Sequence, residues 1–135
     1  MTNSHPLIIL RGNSGCGKTS TARLLQCQLG YGTMLVSQDM VRREMLRVKD
    51  SESNPAIQLI YDLCMYGNNV GYTVILEGIL SRKKYGAMLH RLLNDFQGKK
   101  LIYYFGDAPV VERSGRFGRA RRAANWREVG SGRNC

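Results

Sequence analysis

Eight consecutive residues carry the clearest chemistry in the chain: Gly12-Asn13-Ser14-Gly15-Cys16-Gly17-Lys18-Thr19. They fit G-x-x-x-x-G-K-[ST], the spacing of the Walker A phosphate-binding loop. The glycines at 12, 15 and 17 admit backbone conformations that a Cβ would obstruct, so successive N–H groups can turn inward around a phosphate. A helix opening at the end of the loop adds its own unpaired N–H groups and the positive end of its dipole. Lys18 is placed to reach β- and γ-phosphates, and the Thr19 hydroxyl suits the shell of a Mg²⁺ held with them. The expected nucleotide-binding set is thus Gly12, Asn13, Ser14, Gly15, Cys16, Gly17, Lys18, Thr19 and Ser20, with Lys18 also catalytic and Thr19 the metal ligand. A nucleoside triphosphate with Mg²⁺ is the expected ligand; the motif does not distinguish ATP from GTP, though no N-K-x-D guanine-reading sequence is present.

A phosphate loop names a donor and leaves the acceptor open. Two further stretches bear on it. In Ser37-Gln38-Asp39-Met40-Val41-Arg42, Asp39 and Arg42 lie three apart, on one side of a helical turn. At the carboxyl end of a parallel strand that is where ligands bind. Asp39 would take the proton of an acceptor hydroxyl and Arg42 would hold an anionic group on it. The plainer alternative is an aspartate favouring the helix dipole beside a solvated arginine. In Val74-Ile75-Leu76-Glu77-Gly78, an acidic residue ends a buried apolar run, suited to a Mg²⁺-water shell or to an acceptor hydroxyl. Strand-end solubilisation is the alternative for Glu77. Gly78 permits close approach of a substrate or of backbone.

The elements that must position these groups follow from hydrophobic spacing. Residues 7–11 form a short apolar run between Pro6 and Gly12, too brief for a helix and suited to a buried strand. Residues 18–29 turn to helical spacing, with Ala22, Leu25 and Leu29 on one stripe and Gly30 closing it. A second strand is expected over 33–36 and a helix over 38–48, capped by Ser37, with Val41, Met45 and Val48 on one face. Asn54-Pro55 opens a helix to about 69 on which Ile57, Ile60 and Cys64 recur. A third strand over 73–77, a helix over 81–96 built on Tyr85, Met88, Leu89, Leu92, Leu93 and Phe96, and a fourth strand over 100–105 complete the pattern. Strands apolar on both faces that alternate with helices imply an α/β fold: a three-layer sandwich around a mainly parallel sheet of about four strands.

Composition narrows the class. The 135 residues are 43% hydrophobic and 22% charged, which excludes wholesale disorder, collagen and coiled coil. No apolar run approaches the roughly 20 residues of a membrane span, and the first residues do not read as a signal peptide, so a cytoplasmic protein without a membrane partner is expected. The four cysteines, at 16, 27, 64 and 135, have no C-x-x-C pair and suggest neither a zinc site nor a disulfide framework. Cys27 and Cys64 read as small core or near-core side chains. Cys16 differs by lying inside the glycine loop, where a redox role is the lesser alternative.

The net charge is +10, and it is uneven. Residues 1–105 carry 13 Lys+Arg against 7 Asp+Glu, and residues 106–135 carry 7 against 3. The chain therefore divides into a core over 1–106 and an Arg/Gly/Ala-rich tail over 107–135. That tail reads as a partial lid or as a disordered, solvated segment. A third reading makes it a nucleic-acid-binding arm, with Arg119, Arg121, Arg122 and Arg127 on phosphates and Phe117 and Trp126 on bases.

Taken together, LIILRGNSGCGKTS, VSQDMVRREML and GYTVILEGIL resemble the small P-loop kinases, the group that includes polynucleotide 5′-kinases, zeta-type toxins and chloramphenicol phosphotransferase. The resemblance covers about residues 6–105. It implies transfer of the γ-phosphoryl group of ATP to a hydroxyl, with Asp39 as general base, Arg42 against the acceptor and Glu77 on substrate or metal-bound water. Members of that group continue from the fourth strand into an arginine-bearing lid helix, a fifth strand and an adenine-contacting loop. Here Arg113, Arg116 and Arg119 are the candidates for lid arginines, and no fifth strand is recognisable. The alternative function is accordingly a nucleotide-binding module with weak or no phosphoryl transfer.

Overall fold

A computed structural model describes residues 5–13 and 17–105. The expectations for Ser14, Gly15 and Cys16, and those for residues 107–135, lie outside the described residues. Four strands, β1 (Leu7–Gly12), β2 (Thr33–Ser37), β3 (Thr73–Gly78) and β4 (Lys100–Phe105), form one sheet in the order β2-β3-β1-β4. All three pairings are parallel, with Ile8 opposite Ile75 and Leu101, and Leu35 opposite Ile75. The helices α1 (Lys18–Leu29), α2 (Gln38–Met40), α3 (Pro55–Asn69) and α4 (Arg82–Asp95) fall in the connections, which is what parallel strands require.

The two inner strands are apolar on both faces because both faces are covered. Leu7 and Ile9 of β1, with Val74 and Leu76 of β3, join Ile60 and Cys64 of α3 and Tyr85, Met88, Leu89 and Leu92 of α4 in the larger core. Ile8, Leu10 and Ile75 point the other way, onto Ala22 and Leu25 of α1. Each fully buried aliphatic side chain contributes about 1.5–3 kcal/mol, so α3 and α4 are held by packing more than by propensity. Local signals fix their starts. The Asn54 side chain accepts from the Ala56 N–H at 2.9 Å and donates to the Ser51 carbonyl at 2.7 Å, with Pro55 in the first turn.

Four expectations need correction. The helix expected over 38–48 is a short α-helical turn, α2, that passes into a π-helical turn over Val41–Leu46. It ends where Arg47 turns left-handed (φ 54) and the Arg42 carbonyl takes the Arg47 and Val48 N–H groups. The wider turn moves the inward side from Met45, which is 50% exposed, to Leu46, which packs on the core. Leu29, placed on the buried stripe of α1 by spacing, is 48% exposed at the helix end. β4 is an edge strand on which Ile102, Tyr103 and Tyr104 stay largely exposed. Cys64 is buried as expected, whereas Cys27, half-buried on α1, is disulfide-bonded, which the scattered cysteine spacing did not suggest. Among the described residues no helix is long and apolar enough to cross a membrane.

Candidate active site

The first and third strands end side by side, Arg11 opposite Gly78, and the phosphate loop leaves β1 at that point. Gly12 must be glycine for space: a Cβ there would lie 2.3 Å from the Phe105 carbonyl oxygen of β4. Gly17, at φ 90, is the left-handed residue from which α1 starts, and no side chain caps that start. No acidic residue occupies the first turn of α1 to repel an anion drawn to its dipole.

Lys18 is only 6% exposed, and its ammonium donates to the Asn13 carbonyl at 2.7 Å. The lysine thus lies folded against the loop whose phosphate it would contact. Thr19 follows on α1, and its hydroxyl donates to Oε2 of Glu77 at 3.3 Å. Glu77 is 2% exposed. The sequence left Glu77 open between acceptor and metal-bound water, and its contact here is with the threonine of the phosphate loop. Among the described residues no group of three His, Cys, Asp or Glu side chains gathers as a metal site. One hydroxyl and one carboxylate oxygen nevertheless fit Mg²⁺, which keeps several waters and takes its remaining ligands from substrate phosphates.

The acceptor-side residues form a different kind of cluster. Ser37 caps the turn by accepting the Met40 N–H at 3.3 Å. Asp39, with 62% of its side chain exposed, takes two arginines on the same oxygen, Oδ1: Arg42 at 3.4 Å and Arg43 at 2.9 Å. Asp39 and Arg42 are therefore brought together as their spacing implied. Arg42 also turns inward, donating to the Val48 carbonyl at 3.2 Å and lying 4.0 Å from Asp50. Lys84 of α4 closes the chain of charges on Asp50 at 3.1 Å. Ser20 sits exposed in the first turn of α1.

Sequence reasoning missed the side chains that tie these two halves together. Gln38, 4% exposed, accepts the Ile79 N–H at 3.2 Å and donates to the Tyr85 hydroxyl at 3.1 Å. Arg11 donates to the Leu80 carbonyl and lies over the Tyr104 ring, 5.2 Å from its centroid. The turn after Glu77 is consequently held from β1 by Arg11 and from α2 by Gln38. Helical spacing places Tyr85 on a core stripe and no more, and Gln38 stands out in the sequence only by preceding Asp39. A polar residue directly before Asp39 was the single available hint.

No protein-family model matches the sequence. Solved structures do match in fold. The Mycobacterium tuberculosis APS kinase CysC, in complex with AMPPNP and APS, aligns at a TM-score of 0.66 and 17% identity, over 90% of this chain and 76% of that one. The Pnkp1/Rnl/Hen1 RNA repair complex aligns at 0.59 and 21%, over 89% of this chain and 39% of that one. The PezAT toxin–antitoxin system of Streptococcus pneumoniae aligns at 0.59 and 18%, over 93% of this chain and 58% of that one. The chain has the fold of the small P-loop kinases. In open parallel sheets ligands bind outside the carboxyl ends of the strands; here Glu77 lies near the end of β3, and Lys18 and Asp39 follow the ends of β1 and β2.

Proposed function

We propose that the chain is an ATP-dependent kinase that transfers a γ-phosphoryl group to a hydroxyl of its acceptor. The observation that carries this reading is the contact of Thr19 with the buried Glu77 at 3.3 Å, made beside a buried Lys18. A glycine-rich connection with a stray lysine has no use for a hydroxyl–carboxylate pair at the end of two buried strands. In this reading the loop N–H groups and Lys18 would bind the triphosphate, and Thr19 and Glu77 are the residues that would hold Mg²⁺. Mg²⁺, when bound, neutralises charge on the β- and γ-phosphate oxygens.

The acceptor oxygen attacks the γ-phosphorus, its proton passes to Asp39, and the bond to the β-bridging oxygen breaks to leave ADP. Arg42 keeps the Asp39 carboxylate in place through Oδ1, and its own anchorage on Val48 and Asp50 gives that contact a fixed base. Most of the acceleration in such transfers comes from positioning and electrostatics, so the exposure of Asp39 is in keeping with a site completed by its substrates.

Calorimetric titration with Mg-ATP tests the donor half directly. Micromolar binding by the wild-type chain, lost in Lys18→Ala, is the expected outcome. Absence of heat from cooperatively folded wild-type protein would overturn the kinase reading.

A further inference from the structure

Five large apolar side chains lie exposed at the end of the sheet opposite the phosphate loop. Leu29 ends α1, Tyr31 precedes β2, Tyr66 lies in the last turn of α3, and Val70 and Tyr72 lead into β3. Backbone contacts make them one face. The Thr73 N–H donates to the Gly32 carbonyl at 3.0 Å, so Tyr31 and Tyr72 precede a joined pair of residues at the amino ends of β2 and β3. The Tyr72 N–H donates to the Gly67 carbonyl at 2.8 Å and the Val70 N–H to the Tyr66 carbonyl at 3.1 Å, which folds the end of α3 against the same place. Single exposed apolar side chains are ordinary, whereas a contiguous group marks a surface that something covers.

The face is also without charge. Residues 24–38 and 63–76 contain no Asp, Glu, Lys, Arg or His, in a chain that is 22% charged and carries +10. Polar and basic groups begin only at its border. There His5 meets the Thr73 hydroxyl at 3.5 Å, and Asn68 exchanges hydrogen bonds with Gln97 at 2.9 and 3.0 Å, just before Lys99 and Lys100. An aromatic centre depleted of charge inside a polar rim is the anatomy of a protein interface. Charge also selects the occupant. An acidic partner would be steered to the basic surfaces of this chain, and this face offers it nothing. Two copies repel wherever their basic surfaces meet, and on this face they do not. A two-fold axis sets the face against itself, so its neutrality is its own complement.

We infer that the face formed by Leu29, Tyr31, Tyr66, Val70 and Tyr72 binds a second copy of this chain in a non-covalent two-fold dimer. The phosphate loop leaves β1 at the other, carboxyl end of the sheet, so both loops stay open in the dimer. The inference is independent of the kinase reading.

Sedimentation equilibrium of the full chain over a range of concentrations tests it. A reversible dimer is expected. Raising the salt from about 0.1 M to about 1 M, which shortens the screening length from about 10 to about 3 Å, is expected to hold or strengthen association, because salt removes only the repulsion between the basic surfaces. Tyr31→Asp is expected to weaken the dimer at least about tenfold, the loss of one aromatic anchor. Its added negative charge lowers the net charge of the chain, so overall repulsion falls and cannot cause that loss. Tyr31 is fully exposed, and the variant is expected to unfold at the wild-type denaturant midpoint and to keep wild-type Mg-ATP affinity per chain. Tyr31→Phe is expected to dimerise like wild type. Tyr103→Asp, the same change on an exposed tyrosine of the far edge strand β4, is expected to leave the dimer intact. A single-chain mass at every concentration would overturn the inference and leave the face to the rest of this chain or to a different protein. A dimer that salt dissolves, one that Tyr31→Asp leaves as tight as wild type, or one that Tyr103→Asp disrupts equally would overturn it as well. None of these results touches the kinase reading, which stands or falls on the nucleotide titration.

Discussion

The two faces of the sheet support the two halves of the site in different ways. On the α1 face the described core is small: Ile8, Leu10, Ala22, Leu25 and Ile75. On it ride Lys18 and Thr19, whose positions come from backbone, because a phosphate loop and the start of a helix set them directly. On the α3/α4 face fifteen hydrophobic side chains are buried together. The acceptor-side groups sit at the edge of this larger core, exposed, and depend on side-chain supports: Gln38, Tyr85, Arg42 and Asp50. Backbone fixes the donor half, which therefore reads as a motif. Side chains drawn from separate elements fix the acceptor half, which therefore does not.

The sharpest way to break this comparison is to remove the base alone. Asp39→Asn keeps the shape of the turn and removes the ability to take a proton. Phosphoryl transfer is expected to fall about 10²–10⁴-fold, the usual contribution of a general base, with Mg-ATP affinity unchanged by calorimetry. A parallel loss of nucleotide affinity would mean that the halves are one unit. Wild-type transfer by the variant would remove Asp39 from the chemistry.

A second substitution acts on the seam between the halves. A Cβ at Gly78 would lie 2.6 Å from Cβ and 2.7 Å from Oε1 of Gln38, so Gly78→Ala must push Gln38 away from Ile79 and Tyr85. Overpacking of this kind costs about 1–3 kcal/mol, to be read in denaturant unfolding. Transfer is expected to fall further than nucleotide affinity, since Glu77 precedes the glycine and Asp39 follows the glutamine. Unaltered stability would show that the contact gives way freely.

How far the sequence discloses this arrangement varies by the range of the forces involved. The helix at 18–29 and the fourth strand at 100–105 coincide with α1 and β4, and Asn54-Pro55 opens α3 as expected, because apolar spacing, Gly30 and the Asn54 cap act within a few residues. The phosphate loop is equally local. The π-helical turn was not legible, since the same Val41, Met45 and Val48 spacing suits an ordinary helix. Gln38 and Tyr85 are 47 residues apart, and Arg11 and Leu80 are 69 apart. No periodicity links such pairs, and only the parallel register brings them together.

The larger face also carries a pH response. Burial pushes the Cys64 thiol from its ordinary 9.0 up to about 12. In the unfolded chain the thiol ionises above about pH 9, while in the folded chain it holds its proton. The unfolded state then binds fewer protons, and stability falls with rising pH between those limits, by up to about 1.4 kcal/mol per pH unit from this group. Below pH 9 the contribution is flat. Unfolding of wild type and Cys64→Ala compared at pH 8 and pH 10 isolates it: the variant is less stable at both, but loses less between them. Identical slopes would mean that Cys64 is accessible to water in the native state.

The finest test removes one oxygen. Tyr85 is 1% exposed, and its ring belongs to the core that Leu89 and Leu92 complete on α4. Tyr85→Phe leaves that ring in place and deletes only the acceptor for the Gln38 amide, which lies 3.1 Å away. The expected loss of stability is about 0.5–1.5 kcal/mol, the net worth of one hydrogen bond. What matters is where the catalytic loss appears. Gln38 keeps its contact with the Ile79 N–H at 3.2 Å, so the turn after Glu77 remains attached, and Mg-ATP affinity should stay at the wild-type value. The glutamine itself gains freedom, and Asp39 beside it moves with it, so transfer to the acceptor should drop a few-fold with the change in kcat and not in the nucleotide's KM. A drop confined to the nucleotide's KM would place the Gln38–Tyr85 pair with the donor half, and the division between a backbone-built donor site and a side-chain-built acceptor site would have to be redrawn along β3.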